Sequence, residues 1–444
     1  MERQIESKPA AVSERTPQAG EDQQGYWGWA KRCVWTDAML VALTNGVKGG
    51  KWFRLIDKVW KRENLQKAWE GVLENDGVAG VDRQSTEAFE KNATAELDRL
   101  QEQLRQREYQ PKPVMRTWID KPGSADKRPL GIPVVRDRVV HGAVKNVIEP
   151  IFDRDFSENS YGFRPWRGAQ EAIGKVEELL NQGYTWIVDA DIKGYFDNIP
   201  QDRLMGRIAE KIADGRVLEL IEMFLKAGVM EAGKDWQPTE RGSPQGGVIS
   251  PLLANIYLDP LDKLMEKRGV RMVRYADDFI LLCQTEEEAR RALDEVTQWM
   301  KENGLTLHPE KTRIVDAIQP GGFDFLGYHF EQGKKWVRKK SMDKIKTAIR
   351  EVTKRTSGDS MPTIIKQLNQ RLKGWYAYFA ASLPSRFAAV DGFTRRRLRA
   401  ILLKRRGKRG HGNKSAHQIW PNAYFAKQGL FSLMNAHETK HQSP

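Results

Sequence analysis

Apolar residues recur along the chain at two spacings, and each spacing predicts a different kind of element. Steps of three and four at Leu65, Trp69 and Val72 predict a helix, and good helix formers over residues 86–107 predict another. A short apolar run bounded by prolines predicts a strand at 114–119. The chain therefore mixes helices and strands from early in its length.

Two longer helical segments follow. Ser250 and Pro251 are typical of a helix start, with the serine as N-cap and the proline at the first helical position. In the C-terminal third, apolar residues at steps of three and four are Ile365, Leu368, Leu372, Trp375 and Phe379. This stripe predicts a helical domain, and its aromatic residues either pack in the core or stack on nucleic-acid bases.

Acidic residues end two of the predicted strands. An apolar run leads to Asp191, and Asp277 and Asp278 lie between two apolar runs that predict a hairpin. A lone Asp pair is also common in turns for local reasons. Three carboxylates brought together would repel one another unless hard cations such as Mg²⁺ neutralise them. A pair of such ions is the usual device for nucleotidyl transfer, so the pattern indicates a nucleotide polymerase.

The chain has a formal charge of +14, and the excess of bases is concentrated. Residues 334–409 hold 23 Lys and Arg against 4 Asp and Glu, a balance of +19 that leaves −5 for the remainder. A merely solvated helix face usually carries more acids among its bases, so this balance favours a nucleic-acid surface. The cations expected to contact nucleic acid are Arg395, Arg396, Arg397, Arg399, Lys404, Arg405 and Arg406.

Other features restrict the class of protein. Cys33 and Cys283 are far apart, and Cys283 lies in an apolar run, so neither a disulfide framework nor a zinc site is predicted. No apolar run approaches the ~20 residues of a membrane-spanning helix, and the N-terminus lacks the basic and apolar regions of an export signal. We expect a cytoplasmic protein without membrane association.

Two loops carry further candidate chemistry. Cations alternate with Gly and Pro over residues 121–133, which suits a triphosphate but also fits an exposed basic turn. Residues 241–247 are rich in glycine, so their backbone can approach a base pair or a sugar closely.

The motifs along the chain follow a specific order. They lie at residues 77–82, 128–133, 160–165, 243–255, 275–278, 304–312 and 325–328. This order and spacing, from about residue 50 to the C-terminus, resembles that of bacterial group II intron-encoded proteins. These are reverse transcriptases that also act as RNA maturases.

The resemblance implies an α+β right-hand polymerase fold, with fingers, a palm with an antiparallel sheet, and an α-helical thumb or maturase domain. Its expected parts are a disordered tail (1–24), an N-terminal extension with fingers (25–185), a palm (186–333) with a return to the fingers near 205–240, a helical thumb or maturase domain (334–405) and a basic C-terminal region (406–444).

Roles for single residues also follow from the resemblance. Asp191, Asp277 and Asp278 match the catalytic ligands of two Mg²⁺ ions. The expected dNTP-binding residues are Lys121 and Arg128 at the triphosphate, Phe196 as an aromatic gate against the 2′-OH, and Gln245 at the nucleotide.

The implied function is RNA-directed DNA polymerisation on an RNA template and a DNA primer or target, with binding of group II intron RNA to assist splicing and mobility. Two alternatives remain, a splicing factor with incidental polymerase activity and a host-adopted enzyme of DNA repair or phage defence. Many relatives end in an endonuclease domain with His and Cys ligands, and because this chain has 2 cysteines, neither of them C-terminal, we expect none.

Overall fold

The computed structural model describes residues 27–120, 127–231, 235–407 and 414–442. The chain divides into two compact units, Met1–Ile314 and Val315–Pro444. The expected tail at 1–24 and the candidate Lys121 lie outside the described residues. Among the helices that are described, none is long and apolar enough to cross a membrane. The expected division into fingers, palm and thumb stays a prediction.

The first unit is mainly helical. Its helices are α1 (Asp37–Asn45), α2 (Ile56–Val59), α3 (Arg62–Asn75), α4 (Thr86–Glu90), α5 (Ala93–Gln106), α6 (Val135–Asp153), α7 (Ala169–Asn181), α8 (Tyr195–Asn198), α9 (Gln201–Ala209), α10 (Gly215–Lys226), α11 (Ser250–Lys267) and α12 (Glu286–Glu302).

Two sheets complete this unit. Their strands are β1 (Val114–Asp120), β2 (Lys127–Ile132), β3 (Trp186–Asp191), β4 (Val229–Glu231), β5 (Arg271–Tyr275), β6 (Asp278–Cys283) and β7 (Arg313–Asp316), along which the chain leaves the unit. The smaller sheet has the order β2-β1-β4 and the larger one β5-β6-β3-β7. In the larger sheet β6 runs antiparallel to both β5 and β3.

The core of the first unit forms around α6, which is buried on nearly all sides. Leu65, Trp69 and Val72 of α3 are all buried in the same core, as their spacing predicted. A Cβ added to Gly142 of α6 would lie 3.1 Å from the Cβ of Ala68, so the glycine lets α3 and α6 approach closely. This packing provides a rigid base for the sheets.

Two predicted helix boundaries were wrong. Residues 86–107 form α4 and α5 with a break before Asn92, whose φ of −123° and ψ of 19° place it outside the helix. Asparagine competes for backbone hydrogen bonds and so favours such ends over helix interiors. Ser250 is the first residue of α11 instead of its cap, and Ile249 holds the cap position.

The second unit combines a small sheet with helices. Its strands β8 (Phe323–Phe325), β9 (Tyr328–Glu331) and β10 (Lys334–Val337) pair in the order β10-β9-β8. Its helices are α13 (Lys339–Val352), α14 (Met361–Phe379), α15 (Pro384–Arg405), α16 (Lys414–Ile419), α17 (Asn422–Lys427) and α18 (Leu433–Gln442).

The predicted apolar stripe holds the helices of the second unit together. Leu368, Leu372 and Phe379 of α14 are buried, and the ring of Trp375 lies 5.1 Å from that of Phe379. These contacts favour the core interpretation of the aromatic residues over base stacking. Asp391 of α15 accepts hydrogen bonds from residues at the start of α18, which fixes that helix on the bundle.

Candidate active site

The three candidate carboxylates lie at one edge of the larger sheet. Asp191 ends β3 and is paired across the sheet with Asp278, the first residue of β6. Asp277 precedes it in the tight turn from β5, where Ala276 adopts a left-handed φ of 61°. Two strands thus bring together the acids that the sequence places far apart.

Electrostatics at this edge depend on burial and on mutual repulsion. Burial raises the pKa of the Asp277 carboxyl, the negative charge of Asp191 raises it further, and the guanidinium groups of Arg274 and Arg128 act in the opposite direction. Asp191 Oδ2 forms an ion pair with Lys311 Nζ, and the backbone N–H of His308 donates to the Asp191 carbonyl oxygen at 2.7 Å. A cation is therefore already drawn to the carboxylates.

Divalent cations fit the chemistry of this donor set. Carboxylate oxygens are the ligands that Mg²⁺ prefers, and repulsion between Asp191 and Asp277 is the kind that a metal relieves. Within the described ranges, however, no group of three or more His, Cys, Asp or Glu side chains is arranged to hold a metal ion. Lys311 forms an ion pair with Asp191, so a metal ion bound to that carboxylate would have to replace its ammonium group.

A buried polar network fixes the hairpin that carries Asp277 and Asp278. Arg274 is fully buried, and its guanidinium donates to both carboxylate oxygens of Asp262, to Asn255 Oδ1 at 2.9 Å and to the Ala276 carbonyl at 2.9 Å. Asp262 and Asn255 both lie on α11. The turn is thus attached to the helix beneath it through a single side chain.

Three of the predicted nucleotide-binding residues line one cleft. Arg128, Phe196 and Gln245 all border the main cleft, a cavity of about 910 Å³ in the first unit. Lys121, the fourth, lies outside the described residues. Phe163 lines the same cleft, and its ring lies 6.3 Å from that of Tyr275, so the cleft lies near the turn that carries Asp277.

Close backbone contacts position Phe196 and Gln245. The hydroxyl of Tyr195 donates to the Ala254 carbonyl of α11 at 2.6 Å, and the Ser243 N–H donates to the Phe196 carbonyl at 2.8 Å. The Gln245 carbonyl accepts from the Gly131 N–H at 2.6 Å. A Cβ on Gly246 would lie 2.3 Å from the Gly131 carbonyl oxygen, so only glycine allows this approach.

The predicted basic residues of the second unit differ in exposure. Arg396, Lys404, Arg405 and Arg406 are exposed, whereas Arg395 and Arg397 are partly buried. The prediction that Arg399 binds nucleic acid is contradicted by its burial at 2% exposure. Its guanidinium donates to the Trp420 carbonyl at 2.9 Å and to Asn422 Oδ1 at 2.8 Å, so it attaches α15 to the following segment.

Sequence analysis missed two residues of the site. Arg274 had a signal, because a cation inside an apolar strand requires a buried partner. Lys311 lies within the motif at residues 304–312, but nothing in that motif indicates that this lysine reaches Asp191, 120 residues earlier.

Comparison with known proteins identifies two matching families. Residues 119–330 match the model described as reverse transcriptase (RNA-dependent DNA polymerase). Residues 342–420 match the group II intron, maturase-specific domain.

Among curated proteins, Protein YkfC of Escherichia coli (strain K12) is 32% identical over an alignment of 316 residues. The match covers 62% of this chain and 82% of YkfC. Group II intron-encoded protein LtrA of Lactococcus lactis subsp. cremoris is 32% identical over 330 residues, which are 59% of this chain. The chain spans about half of LtrA, 54% of its length.

A similar solved structure is titled partial Cas6-RT-Cas1–Cas2 complex. Its matching chain is 28% identical, with 56% of this chain and 41% of that chain covered at a TM-score of 0.36.

Proposed function

Because the chain belongs to the reverse transcriptase family and carries the maturase-specific domain of group II introns, we propose that it copies RNA into DNA. In this proposal it adds dNTPs to the 3′-OH of a primer paired with an RNA template. The observation that carries the proposal is the position of Asp191, Asp277 and Asp278 at one edge of the larger sheet.

The proposed roles follow from the chemistry of each side chain. The three carboxylates would hold two Mg²⁺ ions, which would supply Lewis acidity for transfer of a nucleotide to the 3′-oxygen with pyrophosphate as the leaving group. Arg128 binds the triphosphate through its fixed positive charge. The Phe196 ring occupies the space that a 2′-OH would need, and Gln245 contacts the nucleotide. The ion pair between Lys311 and Asp191 would break when the Asp191 carboxylate binds a metal ion.

Primer extension tests this proposal. The substrate is a DNA primer annealed to an RNA template, with dNTPs and Mg²⁺. Wild type should make cDNA, and the double variant Asp277→Asn, Asp278→Asn should lose at least about a thousandfold in rate, because neutral amides bind hard cations poorly. The control is Asp294→Asn, the same change at an exposed position of α12, which should act as wild type. Equal synthesis by wild type and the double variant would contradict the metal assignment.

A second function is supported by a separate observation. The maturase-specific domain covers 342–420, and Arg396 and Lys404 within it are exposed cations. We therefore propose that the protein also binds group II intron RNA through phosphate contacts and assists its splicing. The test is splicing of the intron that flanks the gene, with and without protein.

The outcome of that test separates the alternatives. Faster splicing with wild type and with the double variant would show that assistance of splicing does not require polymerisation. No effect on splicing, with cDNA synthesis intact, would favour the host-adopted enzyme. The cytoplasmic location stays a prediction.

A further inference from the structure

Two exposed aromatic side chains on one segment of the first unit have a backbone conformation that aromatic residues rarely adopt. Phe163 and Trp166 are 50% and 63% exposed. Their φ values are 59° and 57°, in the left-handed region that favours glycine. We call these two residues the aromatic platform. Neither exposure nor this conformation stabilises a fold, so both require another explanation.

The segment that carries the aromatic platform is firmly anchored. Arg164, which lies between Phe163 and Trp166 in the sequence, is buried. Its guanidinium donates to Asp153 Oδ1 at 2.7 Å and to the Ser160 carbonyl at 2.9 Å. Asn255 of α11 donates to the Gly162 carbonyl at 2.8 Å. The Arg164 side chain therefore faces the interior, while the side chains of Phe163 and Trp166 face the solvent. Rigid aromatic groups lose little conformational freedom when a ligand covers them.

The segment of the aromatic platform borders the main cleft. Phe163 and Pro165 line that cleft together with Arg128 and Phe196, and Trp166 is the next residue along the chain. The ring of Phe163 also lies 6.3 Å from that of Tyr275, which ends β5 just before the turn with Asp277. The Phe163 ring therefore borders both the main cleft and the strand that leads to Asp277.

We propose that the aromatic platform stacks on unpaired bases of the template strand as they enter the main cleft. The proposal rests on the proposed polymerase function. Bases inside a duplex have both faces covered by their neighbours, so an exposed ring stacks only on an unpaired base. A protein that copies any sequence needs contacts that do not discriminate among bases, and stacking has this property because every base has a π-face.

Binding measurements with two probes test the proposal. Each probe is a DNA primer annealed to an RNA template that has a short single-stranded 5′ overhang. In one probe the overhang carries its bases, and in the other the overhang is abasic, with the same phosphates. Wild type should bind the probe with bases about tenfold more tightly, the effect expected of one stacked base.

Three variants of the aromatic platform and one matched control make the test specific. Trp166→Gly should lose the tenfold preference, while Trp166→Phe should keep most of it. Glycine also removes the left-handed strain, so Trp166→Gly should not unfold at a lower temperature than wild type. Phe163→Ala provides a second test of the same preference. The matched control is Phe53→Ala, since Phe53 is exposed to 63% and lies on a segment, residues 50–55, that does not line the main cleft.

Each outcome decides the proposal. A Trp166→Gly variant that keeps the full preference for bases, or that loses equal affinity for both probes, would overturn it. Primer extension by the same proteins separates the stacking proposal from the proposed function. If wild type makes cDNA but shows no preference for bases, only the aromatic platform is rejected. If wild type makes no cDNA yet shows the preference and loses it in Trp166→Gly, the stacking stands and the polymerase assignment is rejected.

Discussion

Arg274 connects the fold to the chemistry through a single guanidinium group. We predict that Arg274→Lys lowers the rate of primer extension by about tenfold or more and raises the Mg²⁺ concentration needed for half-maximal rate. A lysine keeps the charge beside Asp262 but lacks the planar fork that also reaches Asn255 and the Ala276 carbonyl. One lost hydrogen bond of this kind corresponds to about a tenfold change. The measurement is the steady-state rate as a function of Mg²⁺ concentration.

The control for this prediction is Arg268→Lys, because Arg268 forms an exposed ion pair with Glu295 at 3.2 Å. Surface pairs contribute little, so this variant should retain the wild-type rate and Mg²⁺ dependence. Arg274→Lys with an unchanged Mg²⁺ dependence but a lower unfolding temperature would show that Arg274 only stabilises the fold.

At the residue scale, the sequence predicts best where chemistry leaves a local pattern. Asp277 and Asp278 stand between two apolar runs, and the structure places them at a turn opposite Asp191. Arg399 looks the same in the sequence as Arg396, yet one is buried and the other exposed. Their difference arises from packing of residues 420–422, which no local pattern contains.

At the scale of elements, Gly162 lets one segment lie directly against the catalytic turn. A Cβ at this position would lie 2.3 Å from the Ala276 nitrogen and 2.8 Å from the Tyr275 carbonyl carbon. Both are backbone atoms, so the turn itself would have to move. We predict that Gly162→Ala lowers the free energy of unfolding by about 1–3 kcal/mol and also lowers the rate of primer extension. Urea unfolding and primer extension measure the two effects.

The matched control is Gly174→Ala within α7, where an added Cβ meets nothing within 4 Å. Alanine in a helix interior should raise the stability by about 0.5–1 kcal/mol and leave the rate unchanged. Gly162→Ala with wild-type stability and rate would mean that the turn adapts without cost.

The sequence predicts the existence of elements better than their limits. The hairpin of β5 and β6 and the helix α3 follow from spacing alone. The break between α4 and α5 does not, because residues on both sides of it are good helix formers. Pairing of β3 with β6 joins segments about 90 residues apart, and such contacts depend on the whole fold instead of local propensity.

At the scale of the whole molecule, stability should depend on pH through Glu149. Burial raises the pKa of this carboxyl from 4.5 to about 7, and the nearby Asp153 adds to the shift against the effect of Lys145. The folded state therefore holds a proton that the unfolded state releases, so the contribution of Glu149 to stability is most favourable below pH 4.5 and becomes less favourable as the pH rises toward 7.

We predict that Glu149→Gln reduces this dependence. Between pH 5.5 and 8 the Glu149 carboxyl accounts for a loss on the order of 2 kcal/mol in the free energy of unfolding. Glutamine does not titrate, so the variant should lack this loss. Urea unfolding of both proteins across this range measures the difference. Parallel pH profiles for wild type and variant would show that Glu149 titrates normally in the folded protein.

The charge of the second unit should appear in the salt dependence of RNA binding. Each phosphate contact contributes about 0.7–0.9 to the slope of log affinity against log salt concentration. Arg396→Gln with Lys404→Gln removes two exposed cations, so the slope should become shallower by about 1.4–1.8 if both meet phosphate. Arg399→Gln removes one positive charge from a buried position, and it should lower stability while leaving the slope nearly unchanged. Equal slopes for wild type and the exposed double variant would show that these two side chains do not contact RNA. A shallower slope for Arg399→Gln would mean that the buried guanidinium becomes accessible when RNA binds.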